Sequence, residues 1–512
     1  MSPRPVRPVP GLLNALGPKM TRAAMLLVMA SILAWTTYRA AVASISHDEA
    51  YTWLHFVPLS WSELFAHKEA FTNNHLLNTL GMKASATVFG NGELALRLPN
   101  LLALALFMAA AARLLAPLPA GFALGGAIVL FFNCWLLELF ALARGYGLSM
   151  GFMFLALHQL VQLARRPRAR DVAFYHAASV LATLANFTLL NVQLAGIAAL
   201  ALVYLMHERV GGLGRTAWRK IIQWNLVGVA ASATVLWIPV RNTLRQNALD
   251  FGSKDDFLHA TAYTWWKSLL PDIELPVPVW NALSAATVLI VLLSVFHLFR
   301  RWRRGDPDLL NRDVAMPILL VVFLLTCIAA EVQHLLFGVD RLVGRFAMFL
   351  EPLFVLVTVQ LLAARWATGR KRAPSVVMAV AAVCCMVVCI CRFGPYRSME
   401  WQYDVHTKDA MAAIADDFRT RPHQGAVRVG INWLFEPAMN YYRLRMGVAE
   451  IEPLDRDDIK TGDVYRLVFE GDANTHASDG YQRMCAWPES ATVLLKRQPM
   501  VSSPAVLDVP LH

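Results

Sequence analysis

Eleven runs of apolar residues, at 23–42, 98–116, 118–137, 145–164, 172–188, 190–206, 221–240, 276–299, 314–336, 346–364 and 373–391, are separated by short polar or basic stretches. Each is close to the roughly 17–25 residues that a helix needs to cross the hydrocarbon of a bilayer. The pattern predicts an all-α polytopic membrane domain over 1–395 with about eleven spanning helices. The fifth and sixth runs could form one long kinked helix, but two short spans joined near 186–191 suit the polar residues there better. From about 396 the pattern changes. Met411, Ile414, Ala415 and Phe418 make one stripe of a short helix, while Val427, Val429 and Ile431 alternate as in a half-buried strand. Strands are also predicted at 464–469 and 491–496, so 396–512 reads as a small C-terminal α/β domain.

Positive charge sets the expected orientation. Basic clusters occur in the N-terminal tail (Arg4, Arg7, Lys19, Arg22), at 165–170, 209–220, 300–304 and 365–372. Eleven crossings with the N-terminus in the cytoplasm place all five inside, as the excess of Lys and Arg in cytoplasmic loops requires. The loop 43–97 and the C-terminal domain are then extracytoplasmic, and a bacterial cytoplasmic (inner) membrane protein with a periplasmic domain is expected. The first run is of spanning length and is followed at once by a polar segment rich in chemistry, so it reads as a retained helix and not a cleaved signal.

Composition agrees: of 512 residues, 57% are hydrophobic and 16% charged, against roughly 45–50% and 25% in soluble domains. An ordinary cytosolic enzyme is excluded. The formal charge of +11 follows from the basic loops and does not indicate nucleic acid. Six of seven cysteines lie in or beside apolar runs, leaving Cys485 alone in the polar part, and no paired CxxC suggests structural zinc.

The loop 43–97 holds the densest chemistry. It opens with Ser46-His47-Asp48-Glu49-Ala50-Tyr51-Thr52-Trp53, and Leu54, Val57, Trp61, Leu64 and Phe65 then suggest short amphipathic helices lying in the membrane interface. Adjacent carboxylates on a helix point about 100° apart, so one can face a reacting centre while the other braces a neighbour. The simpler alternative is that both cap a helix at its positive end. His47, Asp48, His55, His67 and His75 share the loop, but their spacing matches no strong ligand motif, and no metal or other cofactor is indicated.

Several segments together carry a family resemblance: Asp48-Glu49-Ala50 after the first helix; Asn73-Asn74-His75-Leu76-Leu77-Asn78; Phe89-Gly90-Asn91-Gly92-Glu93-Leu94-Ala95-Leu96-Arg97-Leu98-Pro99; Ala143-Arg144-Gly145-Tyr146-Gly147-Leu148 with Glu138 six residues before Arg144; and Arg345-Phe346 with Pro352. In order and spacing, over roughly residues 20–365, these resemble the polyprenyl-phosphate-sugar glycosyltransferases of the GT-C fold, which include protein O-mannosyltransferases and lipid A aminoarabinose transferases. The chain lacks the Pro-Pro of that family's first loop, and the Asn73 to His75 region replaces a lysine of the lipid A enzymes. The acceptor and sugar therefore do not carry over.

The resemblance implies a membrane glycosyltransferase that moves a sugar from an undecaprenyl-phosphate-type donor to a glycan, lipid or protein acceptor on the outer face. Inverting transfer needs a base for the acceptor proton and cations for the departing phosphate. Asp48 is the expected base, with Glu49 beside it. Glu138, His75, Asn74 and Tyr146 are expected at the acceptor or sugar, and Arg144, Arg345, Arg341 and Lys83 at the donor phosphate. Each cation has a simpler rival role: Arg144 and Arg345 as anchors at helix ends, Lys83 as a structural residue of an interfacial helix. Glu331 and Glu351 lie within runs and are expected to pair with Arg341 or Arg345. Trp265-Trp266-Lys267 is expected to contact lipid headgroups. Two other functions fit the composition. A lipid-linked glycan transporter or flippase predicts inverted repeats, of which none is visible, and a non-catalytic envelope assembly protein would use the C-terminal domain for docking.

Overall fold

The computed structural model describes residues 17–68, 73–166, 168–210, 215–245, 252–309, 313–368, 373–420, 426–456, 459–477 and 479–498. Arg4, Arg7, Arg370, Lys371 and Arg372 of the basic clusters lie outside these. The chain divides into two compact units, one of Met1–Val42 with His55–Gly394 and the other of Ala43–Leu54 with Pro395–His512.

The first unit is helical. Pro18–Val42, Glu93–Leu115, Gly145–Arg165, Arg219–Asn242, Val277–Arg303, Ala315–Phe337, Leu350–Ala367 and Ala373–Arg392 are each long and apolar enough to cross a membrane. Many of their large apolar side chains face outward, among them Leu26, Leu102, Trp237, Leu292 and Val380. Such a surface is stable against lipid and not against water, so this is a multi-pass membrane protein. Gly145–Arg165 is the most enclosed of the eight and packs on Glu93–Leu115 and on Ala169–Ala185.

One expected span takes a form that the apolar pattern did not reveal, and two others show the break expected between them. The run 118–137 is broken into Ala120–Phe131 and Cys134–Ala141, bent by 60°. Phe132 leaves the helical region, and Asn133 restarts the helix by accepting a hydrogen bond from Leu136 N, the usual role of Asn at a helix start. The fifth and sixth runs are separate helices, Ala169–Ala185 and Leu190–Val210, parted where Asn186 is extended and caps a 3-10 turn. The expectation for Trp265 and Trp266 is corrected: Trp265 is buried against Phe323 and Phe354, and Trp266 Nε1 donates to Thr287 Oγ1 at 2.9 Å. Trp265 packs the bundle, and Trp266 is half-buried beside it. Glu331 pairs with Arg341 Nε at 2.9 Å, one of the pairings expected for an ionisable residue within an apolar run.

In the second unit, β1 (Val429–Ile431), β2 (Tyr465–Phe469), β3 (Tyr481–Trp487) and β4 (Thr492–Arg497) form one sheet in the order β1-β2-β4-β3. β1 runs parallel to β2; β4 is antiparallel to both its neighbours. Thr407–Thr420 buries Met411, Ile414 and Ala415, the stripe read from the sequence. β3 and the helix Glu436–Met446 were not expected, since the outward positions of β3 and the Tyr, Asn and Arg content of the helix blur both periods.

The segment Ala43–Leu54 was expected within the membrane domain, but it groups with the C-terminal unit. Polar backbone contacts hold it there: Ile45 N donates to Tyr442 Oη at 2.7 Å, Ser44 Oγ to the Val405 carbonyl at 2.9 Å, and His47 N to Asp404 Oδ2 at 2.6 Å. Trp53 meets the Tyr441 ring edge to face at 5.1 Å.

Candidate active site

The second unit presents Asp48. Ser46 is the N-cap of the short helix His47–Tyr51 and forms a reciprocal capping box with Glu49, the arrangement that satisfies two free backbone N–H groups at once. Glu49 Oε2 accepts from Ser46 N at 2.9 Å and from Ser46 Oγ at 3.0 Å, and the residue is fully buried. Glu49 is therefore engaged in starting the helix, while Asp48 is half-buried and takes no part in that cap. Beneath them lies Asp404. Its Oδ2 takes the His47 N–H, and its Oδ1 is buried with no hydrogen-bond partner among the described residues. Burial, reinforced by the charges of Asp48 and Glu49, pushes the Asp404 carboxyl well above the usual carboxylate range. A third carboxyl thus adjoins the Asp48-Glu49 pair, and no local motif pointed to it, because it is distant in sequence.

The first unit gathers His75, Tyr146, Arg144 and Arg345. His75 begins the helix Leu76–Phe89 and meets the Tyr146 ring at 4.9 Å. Tyr146 in turn contacts Phe346 at 6.1 Å. The Arg144 guanidinium lies 5.8 Å from the Tyr146 ring centre and that of Arg345 5.4 Å from Phe346. Arg144 is only 1% exposed, and its Nη1 donates to the Asn73 carbonyl at 3.1 Å. Burial, then the positive charges of Arg144 and Arg345, hold the His75 imidazole well below its ordinary pKa. Burial alone brings His67 down to about 4. Both rings are neutral at physiological pH, so the positive charge of this cluster belongs to the two arginines.

Local packing fixes this cluster. Asn78 Nδ2 donates to the Ala143 carbonyl at 2.7 Å, Asn100 Nδ2 to Asn78 Oδ1 at 2.9 Å, and Leu148 N to Asn100 Oδ1 at 3.0 Å. This buried amide ladder ties three helices around the turn that carries Arg144. Gly145 makes the close approach feasible, since a Cβ there would overlap the Ala185 carbonyl oxygen and lie 2.6 Å from His75 Cγ. Asn74 is buried, its Oδ1 accepting from Thr79 Oγ1 at 2.9 Å.

The other residues singled out from the sequence are engaged elsewhere. Lys83 Nζ donates to the carbonyls of Val57 and Leu59 at 2.7 and 2.8 Å, which closes the turn after the π-helix Thr52–Phe56. Arg341 holds Glu331 and the Asp255 carbonyl at 3.0 Å. Glu138 is buried 3.9 Å from Arg39, whose Nε donates to the Gly394 carbonyl.

No protein-family model matches the chain, and no curated protein does. Among solved structures it is similar to ArnT from Cupriavidus metallidurans bound to undecaprenyl phosphate, with 13% identity over 94% of this chain and 99% of that one at a TM-score of 0.43. It is also similar to the archaeal oligosaccharyltransferase AglB from Archaeoglobus fulgidus, in complex with an inhibitory peptide and a dolichol-phosphate, with 9% identity over 89% and 70% of the two chains and a TM-score of 0.42. The arabinofuranosyltransferase AftD from Mycobacteria matches at 13% identity and a TM-score of 0.44 over 94% of this chain and 40% of that one. Superpositions this loose do not align side chains, and no residue role is carried across from them.

Proposed function

We propose that the protein is an inverting membrane glycosyltransferase of GT-C type that takes a sugar from a polyprenyl-phosphate donor and places it on an acceptor hydroxyl or amine at the outer face of the bacterial inner membrane. The observation that carries the reading is the pair of guanidinium groups around the neutral His75, with Arg144 enclosed. Planar guanidinium forks match phosphate oxygens. Arg144 and Arg345 hold the donor phosphate, and His75 and Tyr146 line the adjoining sugar.

In the reaction the acceptor oxygen or nitrogen attacks the anomeric carbon as the bond from that carbon to the phosphate oxygen breaks. The bonding pair leaves with the phosphate, whose added charge the two arginines stabilise. Asp48 removes the acceptor proton. Asp404, its carboxyl held well above the usual carboxylate range by burial and by Asp48 and Glu49, takes the His47 N–H and so positions the start of the helix that presents Asp48. Glu49 keeps the helix that presents Asp48.

Transfer is tested in membranes carrying the wild type or Asp48→Asn, with a labelled polyprenyl-phosphate sugar pool and mass spectrometry of the envelope glycans formed. Asp48→Asn is expected to lower kcat by about 10²–10⁴-fold with donor binding retained. Unchanged glycans from a folded, inserted Asp48→Asn protein, together with loss of one glycan when the whole protein is absent, would favour transport or assembly instead.

A further inference from the structure

The second unit carries an aromatic and cationic patch that the transfer chemistry does not use. Trp433 is 49% exposed, whereas Phe435, Tyr441, Tyr442 and Tyr465 in the same unit are fully buried. Its ring is met edge to face by His47 at 5.9 Å, and His47 lies parallel to Tyr51 with centroids 6.5 Å apart. The Arg456 guanidinium is 5.6 Å from the Tyr51 ring centre and 5.8 Å from that of Trp433. His47 and Tyr51 flank Asp48 on its own helix, and Tyr51 lies three residues on, so it shares the helical face of Asp48.

The patch is built and braced. His47 Nδ1 is 2.7 Å from the Leu434 carbonyl, which can only accept, so Nδ1 carries a proton and the ring is fixed in orientation. Arg456 Nε is 3.3 Å from Glu436 Oε2. Glu436 Oε1 accepts from Asn440 Nδ2 at 2.6 Å, and Asn440 exchanges hydrogen bonds with the Leu454 backbone at 2.8 and 3.0 Å. That second tier holds Arg456 between two rings and balances its charge, leaving N–H donors without a net anion site.

We propose that this patch is the acceptor subsite and that it takes a neutral pyranose ring. One face of such a ring is a sheet of C–H groups that packs on an indole, while the equatorial hydroxyls need the mixture of donors and an acceptor that Arg456, Tyr51 and His47 supply. A phosphate would compete with Glu436 for Arg456 and gain nothing from Trp433. The assignment rests on the transferase reading for its role, since Asp48 must reach a hydroxyl of the bound ring, but the binding itself does not.

The test uses the full-length protein in detergent with methyl glucoside, methyl galactoside and methyl mannoside as probes, glycerol as the polyol control, and saturation-transfer NMR as the readout. The wild type is expected to transfer saturation to the ring C–H protons of at least one pyranoside. Trp433→Ala is expected to bind about tenfold more weakly, the value of one aromatic contact, with Trp433→Phe recovering most of it and Arg456→Gln weakened. Thermal unfolding of each variant separates loss of binding from loss of fold. Pyranoside signals no stronger than glycerol in the wild type, or unchanged in a folded Trp433→Ala, overturn the proposal and leave Trp433 as a headgroup anchor. Pyranoside binding that depends on Trp433 in a protein that transfers no labelled sugar would retain the glycan site and refute the transferase reading instead.

Discussion

Gly145→Ala tests the packing on which the arginine cluster depends. Gly145 opens the helix Gly145–Arg165 and follows Arg144 directly. The added methyl group would overlap the Ala185 carbonyl oxygen and lie 2.6 Å from His75 Cγ and 2.7 Å from His75 Cβ. Carbon atoms rest about 3.5–4.0 Å apart, so His75 would have to retreat by about 1 Å. Neither obstacle is the free end of a flexible chain: one is the backbone at the end of Ala169–Ala185, which accepts from the His75 ring, and the other is the root of that half-buried side chain. Overpacking of this kind costs about 1–3 kcal/mol, and here the upper end is expected. In a chain of this size each kcal/mol lowers Tm by about 2–4 °C or less, so a fall of several degrees should appear in thermal unfolding in detergent. The displacement of His75 and of neighbouring Arg144 matters more for transfer, where a misplacement of about 1 Å costs about 10²-fold. Gly471→Ala, where a Cβ would meet nothing within 4 Å, is the control and is expected to behave as wild type. A Gly145→Ala protein with unchanged Tm and unchanged transfer would refute the argument that this turn positions the cluster.

Two further outcomes follow from the charges. The Asp404 carboxyl binds its proton more tightly in the folded state than in the unfolded one, so its contribution to stability is full below the ordinary carboxylate range and is lost as pH rises through its raised pKa. Asp404→Asn removes that dependence, and its Tm relative to wild type is expected to improve as pH is raised; parallel Tm curves across pH would show that Asp404 is ionised. Lys83→Met removes two charge-assisted hydrogen bonds to carbonyls and is expected to cost about 1–3 kcal/mol of stability with the donor KM unchanged. A raised donor KM at unchanged Tm would return Lys83 to the phosphate.

The apolar runs alone determined that this is a multi-pass helical protein, because a bilayer demands one long, uninterrupted apolar segment per crossing and that demand is visible residue by residue. The C-terminal domain was legible for the same reason where its period was clean, in the stripe of Met411, Ile414 and Ala415 and in β1, β2 and β4, and was missed at β3 and at Glu436–Met446, whose exposed or polar positions hide the period. Local chemistry marked Asp48 and Glu49, and the family resemblance of short segments marked His75, Tyr146, Arg144 and Arg345. Only the tertiary structure decided how they are used. It turned Glu49 into a cap, engaged Lys83, Arg341 and Glu138 with partners elsewhere, and drew the two arginines around His75. It also supplied Asp404, Trp433 and Arg456 from segments more than 350 residues along the chain from Asp48. Contacts between such distant segments arise from packing and desolvation in the folded state, where a carboxyl can be pushed well above its ordinary pKa beside two others and a tryptophan left exposed among buried rings, and neither condition is written in any local stretch of sequence.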